Sequence, residues 1–249
     1  MANVVRNKFG YYQIPGFNKL FPSVTTILKV ISQPYLGKWR EKLILDAFEA
    51  EILACAEPLS QDSVSAVRQR AVHAPDEVLQ AAGDFGTRSH VAIQTMIEQK
   101  QPFDEAPDLR PVVDAFLQWQ ARMHVEQIQS ERLVYSDEHT FAGTVDAVGY
   151  RTRPDGRRVK VVIDWKTSSS ISPNFALQLS AYARAIEEMD GDPVEEAWVV
   201  QFDKQAPKYS CYQVRDLAKS WQAFRSTLQL WRFLQQSAHF DLDSLHIKN

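Results

Sequence analysis

The sequence predicts a mixed α/β protein in which a central mixed sheet is flanked by helices and a helical N-terminal region comes first. Three observations carry this. Up to about residue 125 apolar residues recur at helical spacing. Beyond it, β-branched residues and alternation take over. The second half then reads strand-strand-strand-helix-strand-strand-helix, the order of a sheet built with a crossover. The shift divides the chain into residues 1–125, a helical region, and residues 126–249, the sheet-bearing core. With 249 residues, the two parts together suffice for one compact unit.

The elements follow in order. Ser23, ahead of Val24-Thr25-Thr26-Ile27-Leu28, has the chemistry of an N-cap. Helical patterning runs from there through Trp39 and Leu43 to about Ala56, again over 63–73, and again over 76–99, where Gly83 and Gly86 mark a break or a close approach. Val112, Phe116, Trp119 and Met123 form an apolar stripe on a helix over 111–123. Strands are expected over 127–135, 141–150 and 159–166, the last two joined by the turn Arg153-Pro154-Asp155-Gly156. A helix over 174–189 leads to a hairpin of 194–202 and 209–214, and a helix over 216–236 closes the pattern.

Composition excludes several classes. Hydrophobic residues make up 45% and charged residues 24%, which rules out a mostly disordered chain. No apolar run approaches the roughly 18 residues of a membrane span, and residues 1–20 lack the apolar core of a signal peptide. A cytoplasmic protein is therefore expected, with no membrane partner. The net charge of −3 argues against a wholly basic surface for sequence-blind duplex binding. Cys55 and Cys211, the only cysteines, read as small buried hydrophobes. The GxxxxGK, HExxH and GxGxxG patterns of NTPases, zinc proteases and dinucleotide enzymes are absent.

The informative segments are Gly143-Thr144-Val145-Asp146 and Ile163-Asp164-Trp165-Lys166. Side chains two apart on a strand share a face, so Asp164 and Lys166 point one way and Trp165 the other, into the core. A hairpin folded symmetrically about Asp155 sets Asp146 opposite Asp164, with Cα atoms about 4.5–5.5 Å apart. Two carboxylates so close repel. A hard divalent cation, Mg²⁺ or Mn²⁺, removes the conflict.

Gly-Thr-Val-Asp (143–146), Ile-Asp-Trp-Lys-Thr-Ser (163–168) and Gln178-Leu179-Ser180-Ala181-Tyr182 together resemble the motif series of the RecB-like branch of the PD-(D/E)XK nucleases. Within it the likeness is to exonucleases of the mitochondrial genome maintenance type and related phage and bacterial enzymes. It covers residues 86–202 and extends more weakly to Pro22-Ser23-Val24-Thr25. The resemblance implies a restriction-endonuclease-like core, an arch or substrate channel formed by the helical region 1–125, and a Mg²⁺- or Mn²⁺-dependent deoxyribonuclease. Asp146, Asp164, Lys166, His90 and Gln178 would be its catalytic residues. The ion would be held by His90, Asp146, Asp164 and the Trp165 backbone carbonyl, with Lys166 orienting or helping to deprotonate the attacking water. His90 enters through Gly86-Thr87-Arg88-Ser89-His90, where Gly86 would let another backbone approach. Glu131 and Tyr182 stand as secondary site residues. Members of the branch with an iron–sulfur cluster need four cysteines, so no cluster is expected here.

The implied activity is exonucleolytic hydrolysis of DNA from single-stranded or free ends, in repair, replication or recombination. Ser23, Thr25, Lys38, Trp39, Arg40 and Arg88 are candidate DNA contacts, with Lys42 as a further phosphate contact. Tyr11, Tyr12 and Tyr35 are further stacking candidates. The basic turn Arg151, Arg153, Arg157, Arg158, Lys160 reads either as a phosphate site or as a solvated hairpin tip. A helicase or recombination partner is compatible with this reading. Two alternatives stay open: a flap or structure-selective endonuclease of the same fold, and a non-catalytic nucleic-acid-binding module.

Overall fold

The computed structural model describes residues 5–31, 33–55, 58, 60–100 and 106–236. The first segment departs from the helical expectation. It forms three short strands, β1 (Val5–Arg6), β2 (Tyr11–Gln13) and β3 (Leu20–Pro22), paired antiparallel in order. Strands of two or three residues are too short to show alternation, and the positive φ of Gly10 (84°) and Gly16 (88°) supplies the turns between them. Tyr12, Ile14 and Phe21 pack on Ala142 as a small separate cluster.

Ser23 caps α1 (Val24–Leu28) as expected, its hydroxyl accepting from the Thr26 amide at 3.1 Å. Then α2 (Pro34–Leu53) opens on its proline. Ala56, the expected end of this stretch, lies outside the described residues. The two helices expected over 63–73 and 76–99 are one, α3 (Gln61–Gln99), opened by a Ser60–Ser63 capping box and continuous through Pro75. Neither glycine interrupts it. A Cβ at Gly83 would meet nothing within 4 Å, and one at Gly86 would sit 3.5 Å from Thr167 Oγ1, an ordinary contact, so no close approach of backbone explains that glycine. A short 3₁₀ turn (Pro107–Leu109) leads into α4 (Arg110–Met123).

The second half follows the expected order: β4 (Glu126–Ser136), β5 (Phe141–Thr152), β6 (Arg158–Lys166), α5 (Asn174–Asp190), β7 (Val194–Phe202), β8 (Tyr209–Gln213) and α6 (Leu217–Leu234). These strands form one five-stranded sheet in sequence order. The α5 crossover makes β6 and β7 parallel, and every other neighbour is antiparallel, so the sheet is mixed. From Val159 to Trp165 β6 is buried at every residue, as a central strand covered on both faces must be.

Helices cover both faces. Ile27, Leu179, Ile186, Phe224 and Leu228, from α1, α5 and α6, pack with Val148 and Val162. Ile93, Val112, Phe116 and Trp119, from α3 and α4, pack with Val161, Ile163, Trp165 and Trp198 on the other face. Trp165 thus enters the core as expected, its ring 4.9 Å from that of Trp119. The end of α3 and all of α4 are a layer of the core, not a region apart from it. The cysteine expectation fails for one residue: Cys55 is exposed, while Cys211 on β8 is half-buried. Among the described residues no helix is long and apolar enough to cross a membrane.

Candidate metal centre and active site

The β5–β6 ladder runs from Thr152–Arg158 to Ala147–Ile163, in the register set by a turn centred on Asp155. It stops one step short of Asp146 and Asp164. There Asp146 Oδ2 accepts the Trp165 amide at 2.8 Å, so a side chain takes a bond the backbone ladder would otherwise supply. The β4–β5 ladder skips the same row: Ser130 pairs with Ala147 and Arg132 with Val145, leaving Glu131 across from Asp146 without a pair. Glu131 has φ 47°, the left-handed region that costs a side-chain-bearing residue energy and concentrates at functional sites. Three carboxylates from three neighbouring strands therefore stand in one row, where the sheet's own hydrogen bonding gives way.

His90 reaches this row from α3. Its Nδ1 lies 3.5 Å from Asp146 Oδ1 and 3.9 Å from Glu131 Oε1. Its Nε2 lies 3.1 Å from the Trp165 carbonyl. A carbonyl only accepts, so Nε2 carries the proton in that contact, and a neutral imidazole then turns its lone pair on Nδ1 toward the carboxylates. His90, Glu131 and Asp146 offer ligand atoms all within 4.8 Å of one another, a grouping suited to a metal ion.

Asp164, buried beside this group, accepts from Gln178 Nε2 at 3.1 Å through Oδ1. Its Oδ2 faces the Lys166 ammonium in an ion pair. Gln178 also donates to the Tyr182 hydroxyl at 3.2 Å, and α5 carries both side chains on one face.

The electrostatics follow from this crowding. Burial, and after it the charge of Asp164, pushes the Asp146 carboxyl up to about 7. Burial alone would lower His90 and Lys166, but carboxylate partners outweigh it. Glu131 and Asp146 raise the imidazole, and Asp164 and Asp146 raise the ammonium. Tyr182 is raised by burial and by the same two aspartates, so its phenol stays protonated.

The sequence-predicted residues Asp146, Asp164, Lys166, His90, Gln178, Tyr182, Glu131 and the Trp165 carbonyl thus meet in one cluster. The carbonyl is already engaged by His90, and Asp164 stands next to the His90–Glu131–Asp146 group instead of within it. A cavity of about 570 Å³ opens over Glu131, Asp146 and Gln178 and extends to Ser23 and Thr25. It also reaches Arg6, which the sequence did not single out. The Arg6 guanidinium donates to the Ser23 and Thr25 hydroxyls at 3.3 Å each. A lone arginine in a two-residue strand carries no sequence signal.

The other candidate DNA contacts divide. Arg40 is paired with Asp76 and Arg88 with Asp108. Lys38 is exposed on α2, and Trp39 lines a second groove. Tyr12 is buried, its hydroxyl 3.1 Å from Thr144 Oγ1, and is not free to stack on a base. Of the alternatives for the basic turn, the solvated tip is the one found, with residues 154–158 exposed. Arg151, Arg153 and Arg157 are paired with Glu195 and Glu196, Lys160 with Asp190 and Asp192, and Arg158 lies over the Tyr150 ring.

No family profile and no curated protein matches the chain significantly. A solved structure titled "Crystal structure of SSO0001" aligns over 83% of this chain and 91% of its own, at 17% identity and a TM-score of 0.33, too low to show a common fold.

Proposed function

We propose that this chain is a metal-dependent deoxyribonuclease with a restriction-endonuclease-like core, hydrolysing DNA from single-stranded ends as a cytosolic enzyme of repair, replication or recombination. The observation that carries the reading is the row of Glu131, Asp146 and Asp164 across three strands, with His90 on one side and Lys166 on the other. Carboxylates so placed repel one another, and burial first, then the charge of Asp164, pushes the Asp146 carboxyl up to about 7. A hard divalent cation, Mg²⁺ or Mn²⁺, fits this oxygen-rich donor set. His90, Glu131 and Asp146 would hold it, with Asp164 and the Trp165 carbonyl adjoining. When bound, such an ion supplies Lewis acidity at a phosphate and acidifies water.

The chain's own residues do the rest. The Lys166 ammonium, fixed by Asp164, orients the attacking water and offsets charge growing on the phosphate oxygens. Gln178 holds Asp164 in place from α5. Arg6, Ser23 and Thr25 line the same cavity as donors for phosphate oxygens.

End-labelled single- and double-stranded oligonucleotides incubated with Mg²⁺, Mn²⁺ or EDTA test the reading. Release of nucleotides is expected with either metal and not with EDTA, and Asp164→Ala and Lys166→Ala should each lower the rate at least about 100-fold. Cleavage of a circular single strand would instead point to an endonuclease. Metal-independent cleavage, or full activity in both variants, would refute the assignment.

A further inference from the structure

We propose that Phe175 is a positioning residue for Lys166, its ring seating the lysine ammonium so that one N–H stays available to the reacting groups. The role deepens the nuclease reading above and rests on it. Lys166 Nζ lies over the Phe175 ring, 5.0 Å from its centroid, within the reach of a cation–π contact. Phe175 sits in the first turn of α5, and Gln178 and Tyr182 follow it at helical spacing, so the three side chains share one face of that helix. Gln178 fixes Asp164, Tyr182 fills the space beside Gly143, and Phe175 meets the lysine at the end of β6.

The chemistry of an ammonium explains the ring. It carries three donors on a flexible four-carbon stem, and the Lys166 side chain is only 20% exposed, so water alone serves it poorly. Asp164 takes one donor in the ion pair. The negative face of an aromatic ring attracts the cation from a second side. A further carboxylate in that place would also hold it, but would add charge to a cluster already crowded with Glu131, Asp146 and Asp164, and would compete for the metal. A ring holds the cation without adding a charge or a ligand. The remaining donor is left for the attacking water or a phosphate oxygen. Phe175 is also partly buried against the core on that face of the sheet. Leucine would fill the same space, so packing alone does not require a ring there.

The test replaces Phe175 site-specifically by mono-, di- and trifluorinated phenylalanine, which weaken the negative face of the ring with little change of shape. Phe175→Leu and Phe175→Tyr complete the series. With an end-labelled single-stranded oligonucleotide and Mg²⁺, kcat should fall stepwise with fluorination. The loss should reach about tenfold for the trifluorinated ring and for Phe175→Leu, while KM and the melting temperature of the fluorinated proteins stay near wild type. Phe175→Tyr keeps the ring face and should retain kcat within about threefold. A second readout needs no substrate. In protein made with isotope-labelled lysine, the Lys166 ε-methylene signal, assigned by its loss in Lys166→Arg, should be shifted upfield by the ring and return to the ordinary lysine position in Phe175→Leu. If wild type cleaves but kcat ignores fluorination, or if the Lys166 signal is unshifted in wild type, Phe175 only packs and the nuclease reading stands. If wild type releases no nucleotides with Mg²⁺ or Mn²⁺, that reading falls and the positioning role falls with it.

Discussion

The ring of Tyr182 occupies the space that a side chain at Gly143 would need. A Cβ built on that glycine would lie 2.4 Å from Tyr182 Cε1 and 3.2 Å from the phenolic oxygen. The glycine of Gly-Thr-Val-Asp is thus a seat for the helix that carries Gln178, and Gln178 in turn holds both the Tyr182 hydroxyl and Asp164.

Gly143→Ala should therefore destabilise the fold by about 1–3 kcal/mol, the cost of overpacking a filled core, and should lower cleavage by displacing Gln178. Tyr182→Ala removes the clash, so the double variant should lose less than the sum of the single losses. Urea denaturation of the four proteins measures this. Additive losses would mean that the two residues do not meet.

The Asp146 carboxyl sets a pH dependence in the metal-free protein. Its ordinary value of 3.8 is pushed up to about 7 in the folded state, first by burial and then by Asp164. Between those values the folded chain binds more protons than the unfolded one, so this contribution to stability is complete below about pH 4 and lost as pH rises through 7. In EDTA, Asp146→Asn should raise the melting temperature at pH 8, by the equivalent of at least about 1 kcal/mol. The gain should vanish toward pH 4. A variant less stable than wild type at both pH values would contradict it.

Cation binding should reverse that penalty. Mg²⁺ or Mn²⁺ at about 100 times its dissociation constant should stabilise wild type by about 2.7 kcal/mol. His90→Ala, Glu131→Ala and Asp146→Asn should each weaken the thermal shift. An undiminished shift in all three would place the ion elsewhere.

Asp190 behaves in the opposite sense. Hydrogen bonds from Arg132 and Lys160 hold its carboxyl down at about 2. Its contribution to stability is present above its ordinary value of 3.8 and is lost as pH falls toward 2. Asp190→Asn should therefore be less stable than wild type at pH 7, with the gap closing as pH falls through 2, as read by chemical denaturation. Equal stability at pH 7 would show that the pairs contribute nothing there.

Much of the site was legible because it depends on short-range regularities. Strand alternation put Trp165 in the core and Asp164 with Lys166 on the other face, and a turn centred on Asp155 set the register of the two aspartates. The spacing of Gln178 and Tyr182 put them on one side of a helix. The strand that carries Glu131 was equally legible. Its left-handed backbone, at which the residue drops out of the strand pairing and its carboxylate stands beside His90, was not.

The amino-acid order by itself determined which segments become helices and strands in the second half, because backbone periodicity and turn chemistry act over a few neighbouring residues. Only the tertiary structure decided that the first residues pair as small strands, that α3 runs unbroken, and which cations are neutralised. Those outcomes depend on what distant segments bring: Ala142 beneath Phe21, and Glu195 and Glu196 against the arginines. No local pattern encodes a partner that arrives from elsewhere in the chain.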